Sequence, residues 1–227
     1  MGFNSDNCVW LSIGENCLTI DILRRLELNS PSTLYSSGRS NIIHLIGLEE
    51  IDYKGVLSLK NITRGLTYGE KEVSLSTMIS DNSGVFQQGP NEMIEFTNID
   101  PLHPEQLLLL QKRVKDYLSL KTKPIKKIFV YHHRSNNGFS EDVKGFLFKA
   151  YDLFIQKYTN IFFICFTQVI IDKIEERGIN KIKPFENMVL INFMTLEQWG
   201  GNNPEIFWAR VDNDLITEAF NDVLGFS

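Results

Sequence analysis

The sequence predicts an α/β domain: a three-layer sandwich with helices on both faces of a mostly parallel central sheet. Three observations predict it. Short, apolar, β-compatible runs recur at residues 8–13, 127–132, 161–166 and 188–193. Amphipathic patterns of about ten or more residues stand between them, and such alternation favours parallel strands covered on both sides. The chain has 227 residues, 43% of them hydrophobic and 22% charged, which is ordinary composition for one large domain spanning 1–227.

The elements follow in order. Residues 8–13 form the first strand, and Gly14-Glu15-Asn16 interrupts it before the periodicity becomes helical. Over 17–26, Leu18, Ile22, Leu23 and Leu26 share one face while Asp21, Arg24 and Arg25 lie on the other. Pro31, several serines and Gly38 make 29–41 a loop leading into a helix over 42–50. Residues 53–95 are mixed, with β-like pieces at 56–59 and 72–75 and turns near 80–84 and 89–90. Pro104 and Glu105 open a helix over 104–120 with Leu107, Leu110, Val114 and Leu118 on its apolar face. A lysine-rich turn precedes the strand at 127–132, and Ser140 caps a helix over 141–158. After the strand at 161–166, Thr167 is placed to cap a helix over 168–177 that Gly178 would stop. The strand at 188–193 comes next. Thr195 with Gln198 has the spacing of a capping box, and a helix over 212–224 ends the chain.

A layered sheet of this kind, Rossmann-like or SGNH-like, collects its sites at the carboxyl ends of its strands. Two suggestive clusters, Gly14 to Cys17 and His132 to Arg134, each follow a predicted strand and are expected to meet at one rim.

The net charge of −5 disfavours a nucleic-acid partner, which would call for a basic face. Lys121, Lys123, Lys126 and Lys127 read as solvated surface. The three cysteines, Cys8, Cys17 and Cys165, form neither a disulfide framework nor a zinc-spaced set. No signal-like leader and no membrane-length apolar run is visible, so a reducing cytoplasm is the expected location. Phosphate loops, GxSxG, HExxH and acidic metal clusters are missing from the sequence, so no cofactor or metal is expected.

Cys17 carries the chemistry. A thiol at a helix N-terminus faces free backbone N–H groups and the positive end of the dipole, which favour thiolate. Those groups, with Gly14 and the Asn16 side chain, can also hold an oxyanion. Glu15 opposes ionisation unless it points away. The plainer alternative is a small helix residue after a turn glycine. Cys8 and Cys165 read as packed thiols. Among the four histidines, His132 is the first choice for a base and His103 the second; His44 lies on an apolar helical stretch. His132 and His133 face opposite ways on their strand. Arg39, Ser40, Asn41 and Arg134 are candidates to bind a carboxylate, phosphate or sugar. Trp199, Phe207 and Trp208 read as packing, with a carbohydrate pocket as the alternative.

The run Leu11-Ser12-Ile13-Gly14-Glu15-Asn16-Cys17, then Ile22-Leu23-Arg24-Arg25-Leu26-Glu27-Leu28 and the 32–41 loop, resembles the opening of a bacterial family described as papain-like cysteine peptidases. The likeness covers roughly the first 50 residues, with Tyr131-His132-His133-Arg134 and Phe207-Trp208-Ala209-Arg210 as weaker echoes. It implies that Cys17 is the nucleophile, and its members often accompany genes for surface polysaccharides. Relatives carry a His-Asp pair before the long central helix. Here the chain reads Phe96-Thr97-Asn98-Ile99-Asp100, so Asp100 matches, the histidine does not, and His103 follows. Alternating strands and helices fit SGNH-type esterases, which place a nucleophile after the first strand, better than a papain fold. The expected activity is cysteine-dependent hydrolysis or acyl transfer on an ester, thioester or amide of a small-molecule or glycan substrate. The alternative is a non-catalytic protein that binds a saccharide or nucleotide-sugar.

Overall fold

A computed structural model describes residues 8–67, 70–86, 92–201 and 203–223. The chain runs β1 (Cys8–Ser12), α1 (Leu18–Arg25), α2 (Ile42–Glu50), β2 (Ile62–Leu66), β3 (Glu72–Ser80), β4 (Met93–Phe96) and α3 (Pro104–Ser119). It continues with β5 (Lys126–His132), α4 (Glu141–Lys157), β6 (Ile161–Ile170), β7 (Gly178–Phe185), β8 (Met188–Thr195), α5 (Pro204–Phe207) and α6 (Asn213–Val223). A five-stranded sheet has the order β1-β5-β6-β8-β7. The first four are parallel, and β7 joins antiparallel at the edge.

Alternation along β5 separates two cores. Phe129 and Tyr131 face a layer that holds Leu45 and Leu48 of α2, Leu110 and Tyr117 of α3, and Leu147 and Phe154 of α4. Ile128 and Val130 face Leu18, Ile22 and Leu23 of α1 and Leu215, Ile216 and Phe220 of α6. Each fully buried aliphatic or aromatic chain contributes about 1.5–3 kcal/mol, so both sheet faces need a helical cover. The result is the three-layer α/β sandwich. The expected cap at Ser140 forms, its Oγ accepting from Val143 N at 3.3 Å; a further cap, which the sequence reading did not assign, is Asn41, whose Oδ1 accepts from His44 N at 3.0 Å.

β1 occupies an edge, and the loop after α1 covers it. Trp10 N donates to Asn29 O at 2.9 Å, and Thr33 Oγ1 to Ser12 O at 2.7 Å. An open edge would leave such groups free to pair elsewhere.

Three local expectations are corrected. Residues 56–59 are a turn entering a 3-10 segment at Leu59–Asn61, and strand structure starts only at Ile62. There β2, β3 and β4 make a separate antiparallel sheet. Residues 168–177 are not a helix. β6 continues to Ile170 because Thr167 to Ile170 pair with Asn192 to Thr195, and Gly178, expected to stop the helix, begins β7. The buried Gln168 amide donates to Thr195 Oγ1 at 2.7 Å and accepts from Trp199 N at 2.8 Å, so strand pairing overrides the helical period. No helix starts at Thr195, whose hydroxyl donates to Glu197 O. The turn expected at 89–90 and Leu224 of the last helix lie outside the described residues.

Candidate functional site

The two rim clusters do meet. β1 and β5 are neighbours, and the pairing continues past them through Ile13 N to Val130 O at 2.9 Å. Gly14 is required by close approach, since a Cβ there would lie 2.7 Å from Thr19 Oγ1 and 2.8 Å from His132 N. Glu15 is buried and turned toward β5. Its carboxylate accepts from Tyr131 Oη at 2.5 Å and Arg134 N at 3.0 Å and pairs with His133 Nδ1 at 2.9 Å. The one carboxylate beside the thiol in sequence is thus committed elsewhere.

Cys17 is the half-buried N-cap residue of α1, and Asn16 Oδ1 takes the first helical amide, Leu18 N, at 3.1 Å. The thiol donates to Ser36 O at 3.6 Å and accepts from Asn98 Nδ2 at 2.9 Å. Burial pushes the thiol pKa above its ordinary value, and the Asn98 bond and the charges of Arg39 and Arg24 pull it back only in part. Cys165 is fully buried and pushed up further, and Cys8 is half-buried.

Among the described residues, which include all four histidines, no imidazole is a partner of the Cys17 thiol. His132 packs on the α1 side of the sheet, stacked 4.9 Å from Phe166, with Nδ1 3.4 Å from Asn16 Oδ1. Burial first, then the charges of His133 and Arg134, bring its pKa down to about 3, so the ring is neutral. His133 faces the other way, stacked on Phe139. His103 is exposed, its Nε2 3.4 Å from Asp100 Oδ2. His44 Nδ1 accepts from Asn41 N at 3.1 Å beneath α2.

Asp100 joins the small sheet to the start of α3. Burial raises its pKa, but bonds from Ser74 at 2.6 Å, Leu102 N at 3.0 Å and Arg64 at 2.7 Å outweigh it and hold it below the ordinary value. Ser40 donates to Gly14 O and Glu15 O, and Asn41 caps α2 while donating to Asp81 at 2.6 Å, so both hold the scaffold. The charge of Arg39 is felt at the thiol; its backbone pairs with Glu95, and its guanidinium stands 3.8 Å from Glu95 Oε2. Arg134 is exposed at the end of β5. Trp199 is buried and donates to Asp212 at 2.9 Å, while Phe207 packs edge-on against Trp208.

Sequence reasoning missed Asn98, Ser36, Arg24 and Arg113 as site residues. Asn98 had one available signal: it stands two residues before Asp100, in the segment where the resemblance leads one to expect a histidine. Arg113 Nη1 donates to Ser37 Oγ, and Arg24 Nη2 to Ser32 Oγ at 2.9 Å. Arg113 and Ser37 are 76 residues apart, and Arg24 and Ser32 lie across a helix end and an irregular loop, so no helical or strand period announces either pair.

A second ionisable cluster is sealed inside. Glu49 of α2 accepts from Tyr53 at 3.0 Å, Tyr117 at 2.8 Å and Tyr158 at 3.0 Å, and burial raises its pKa despite these bonds. Among the described residues, no group of three or more His, Cys, Asp or Glu is arranged to hold a metal ion, and no helix is long and apolar enough to cross a membrane. No family model, curated protein or solved structure matches the chain.

Proposed function

We propose that Cys17 takes up an acyl group from a thioester and passes it to water or to a hydroxyl acceptor such as a glycan. The observation that carries this reading is a half-buried sulfur bonded by the Asn98 amide at 2.9 Å, with no imidazole on it. That arrangement discriminates among the substrates open to a cysteine nucleophile. Amide cleavage expels a strongly basic amine that must be protonated as it leaves, normally by a histidine. A thioester expels a thiolate that leaves unaided. The Cys17 proton passes to solvent, the thiolate attacks the carbonyl, the C–S bond to the carrier breaks, and the released thiolate takes a proton from solvent; the oxygen of water or of the acceptor hydroxyl then attacks the acyl carbon, its proton passes to solvent, the C–S bond to Cys17 breaks, and the Cys17 thiolate is regenerated. Asn98 steadies the anionic sulfur before attack. Acyl transfer in a reducing cytoplasm thus fits the site better than peptide hydrolysis, the activity that the family resemblance names.

The test is incubation with a panel of acyl thioesters, reading carrier-thiol release and intact mass. One acyl adduct on Cys17, missing in Cys17→Ala, is expected; no adduct with any thioester, or release unchanged in Cys17→Ala, overturns the reading. A second reading, a non-catalytic protein for a saccharide or nucleotide-sugar, is favoured by the raised thiol pKa and the absent imidazole. A ligand that raises the melting temperature equally in wild type and Cys17→Ala, with no adduct formed, supports that reading instead.

A further inference from the structure

The loop between α1 and α2 gathers charge as well as the thiol. Over a short stretch its Ser32 Oγ holds Arg24 of α1 at 2.9 Å, its Ser36 carbonyl holds the Cys17 thiol, and its Ser37 Oγ holds Arg113 of α3. Ser37 O also accepts from Asn98 N at 3.1 Å, and Arg39 closes the loop against β4. Gly38 permits this contact, since a Cβ there would fall 1.7 Å from Glu95 O. Three guanidiniums, from α1, α3 and the loop after α1, are thereby tied to residues of that loop or beside it, next to the two groups, Ser36 O and Asn98 Nδ2, that bond the sulfur.

Their charge is poorly compensated. Arg25 pairs with Asp21, Arg64 with Asp100, Arg177 with Asp212 and Asp214, and Arg210 with Glu205. Arg24 and Arg113 have no carboxylate partner among the described residues, and Arg39 reaches Glu95 only at 3.8 Å. Carboxylates are not scarce, since the chain carries a net charge of −5. Arg113 is half-buried, and burial first, then the charge of Arg24, lower its pKa. Like charges held together in a partly desolvated place are unfavourable until an anion joins them.

We infer that Arg24, Arg39 and Arg113 form a subsite beside Cys17 for a phosphate group on the ligand. Planar forks converging from separate elements match a tetrahedral dianion, whose oxygens accept several charge-assisted bonds at once. The inference rests on the Cys17 reading for what the phosphate would carry, namely the thioester, but anion binding itself needs no acyl transfer.

The test is protection of Cys17 from iodoacetamide by inorganic phosphate at constant ionic strength, read at peptide level with Cys8 as internal control. Phosphate is expected to slow Cys17 alkylation and leave Cys8 unchanged. Arg24→Gln, at an exposed residue whose guanidinium bonds Ser32, should weaken the apparent phosphate affinity by about tenfold, the scale of one charge-assisted bond. Arg113→Gln should do the same, with Arg113→Lys restoring part of the effect; thermal unfolding identifies any variant that fails to fold. The charged probe iodoacetate should label wild-type Cys17 faster, relative to iodoacetamide, than it labels Cys17 in Arg24→Gln. No protection by phosphate, or equal protection in Arg24→Gln, overturns the subsite. Acyl adducts without phosphate protection would remove the subsite alone; phosphate protection without adducts would remove acyl transfer and leave the subsite standing.

Discussion

Asn98→Ala removes the single side-chain donor to the Cys17 sulfur among the described residues, and its effect can be worked from the geometry. At 2.9 Å the amide bonds whichever form of the sulfur is present. A hydrogen bond to a charged group is worth about 1.5–3 kcal/mol, against about 0.5–1.5 kcal/mol for a neutral one. Asn98 is exposed, so water replaces part of the lost bond and the low end applies. The thiolate then loses about 1 kcal/mol more than the thiol, which at about 1.4 kcal/mol per decade lowers the thiolate fraction about 5-fold. The assay is the iodoacetamide rate at Cys17, resolved by peptide mass, at about pH 8, where only a minor thiolate fraction reacts. Asn98→Asp should slow it further, because it sets a carboxylate beside the sulfur. In wild type the rate should climb with pH toward the raised thiol pKa, without the acid-side plateau of a cysteine–imidazolium pair. An Asn98→Ala rate within about twofold of wild type would refute the claim that this amide supports the thiolate.

Three further outcomes follow from the rim. His132 binds a proton far less readily when folded, about 3 against an ordinary 6.5, so the unfolded chain binds more protons between those values and stability falls as pH drops below 6.5. Urea unfolding should show wild type losing about 2 kcal/mol between pH 6.5 and about 5 through this group, and His132→Phe losing visibly less. Glu15→Ala takes away the acceptor of the buried Tyr131 hydroxyl and the partner of His133, at about 1–3 kcal/mol each, and at about 2–4 °C per kcal/mol should lower the melting temperature by roughly 4–24 °C, with Glu15→Gln lowering it less. Gly14→Ala should cost about 1–3 kcal/mol by calorimetry. Adding Thr19→Ala should recover only part of that, because the contact with His132 N is backbone.

The deciding contacts join residues far apart in the chain, 81 positions for Asn98 and Cys17 and 118 for Glu15 and His133. The loop over 29–41 was legible as a loop from Pro31, its serines and Gly38, yet its work is done by groups that no local pattern assigns: the Ser36 carbonyl and the hydroxyls of Ser32 and Ser37. The same limit applies to Gln168. Its segment has a helical apolar period, but the β-branched run Val169-Ile170-Ile171 and a partner strand more than twenty residues away settle it as strand.

What the sequence by itself determined was the layered α/β class, the strand–turn–helix that carries Cys17 and the cap at Ser140, while the meeting of the β1 and β5 ends was an expectation that the strand order fulfilled. These depend on periodicity, capping chemistry and the rule that sites gather where parallel strands end, all of which are local or general. Only the tertiary structure decided that Glu15 turns to Tyr131 and His133, that His132 is sealed against Phe166, and that Asn98 rather than a histidine reaches the sulfur. Hydrogen bonds and desolvation act through distances in space, and a sequence carries those distances only after the sheet, the loop and α3 have closed around one another.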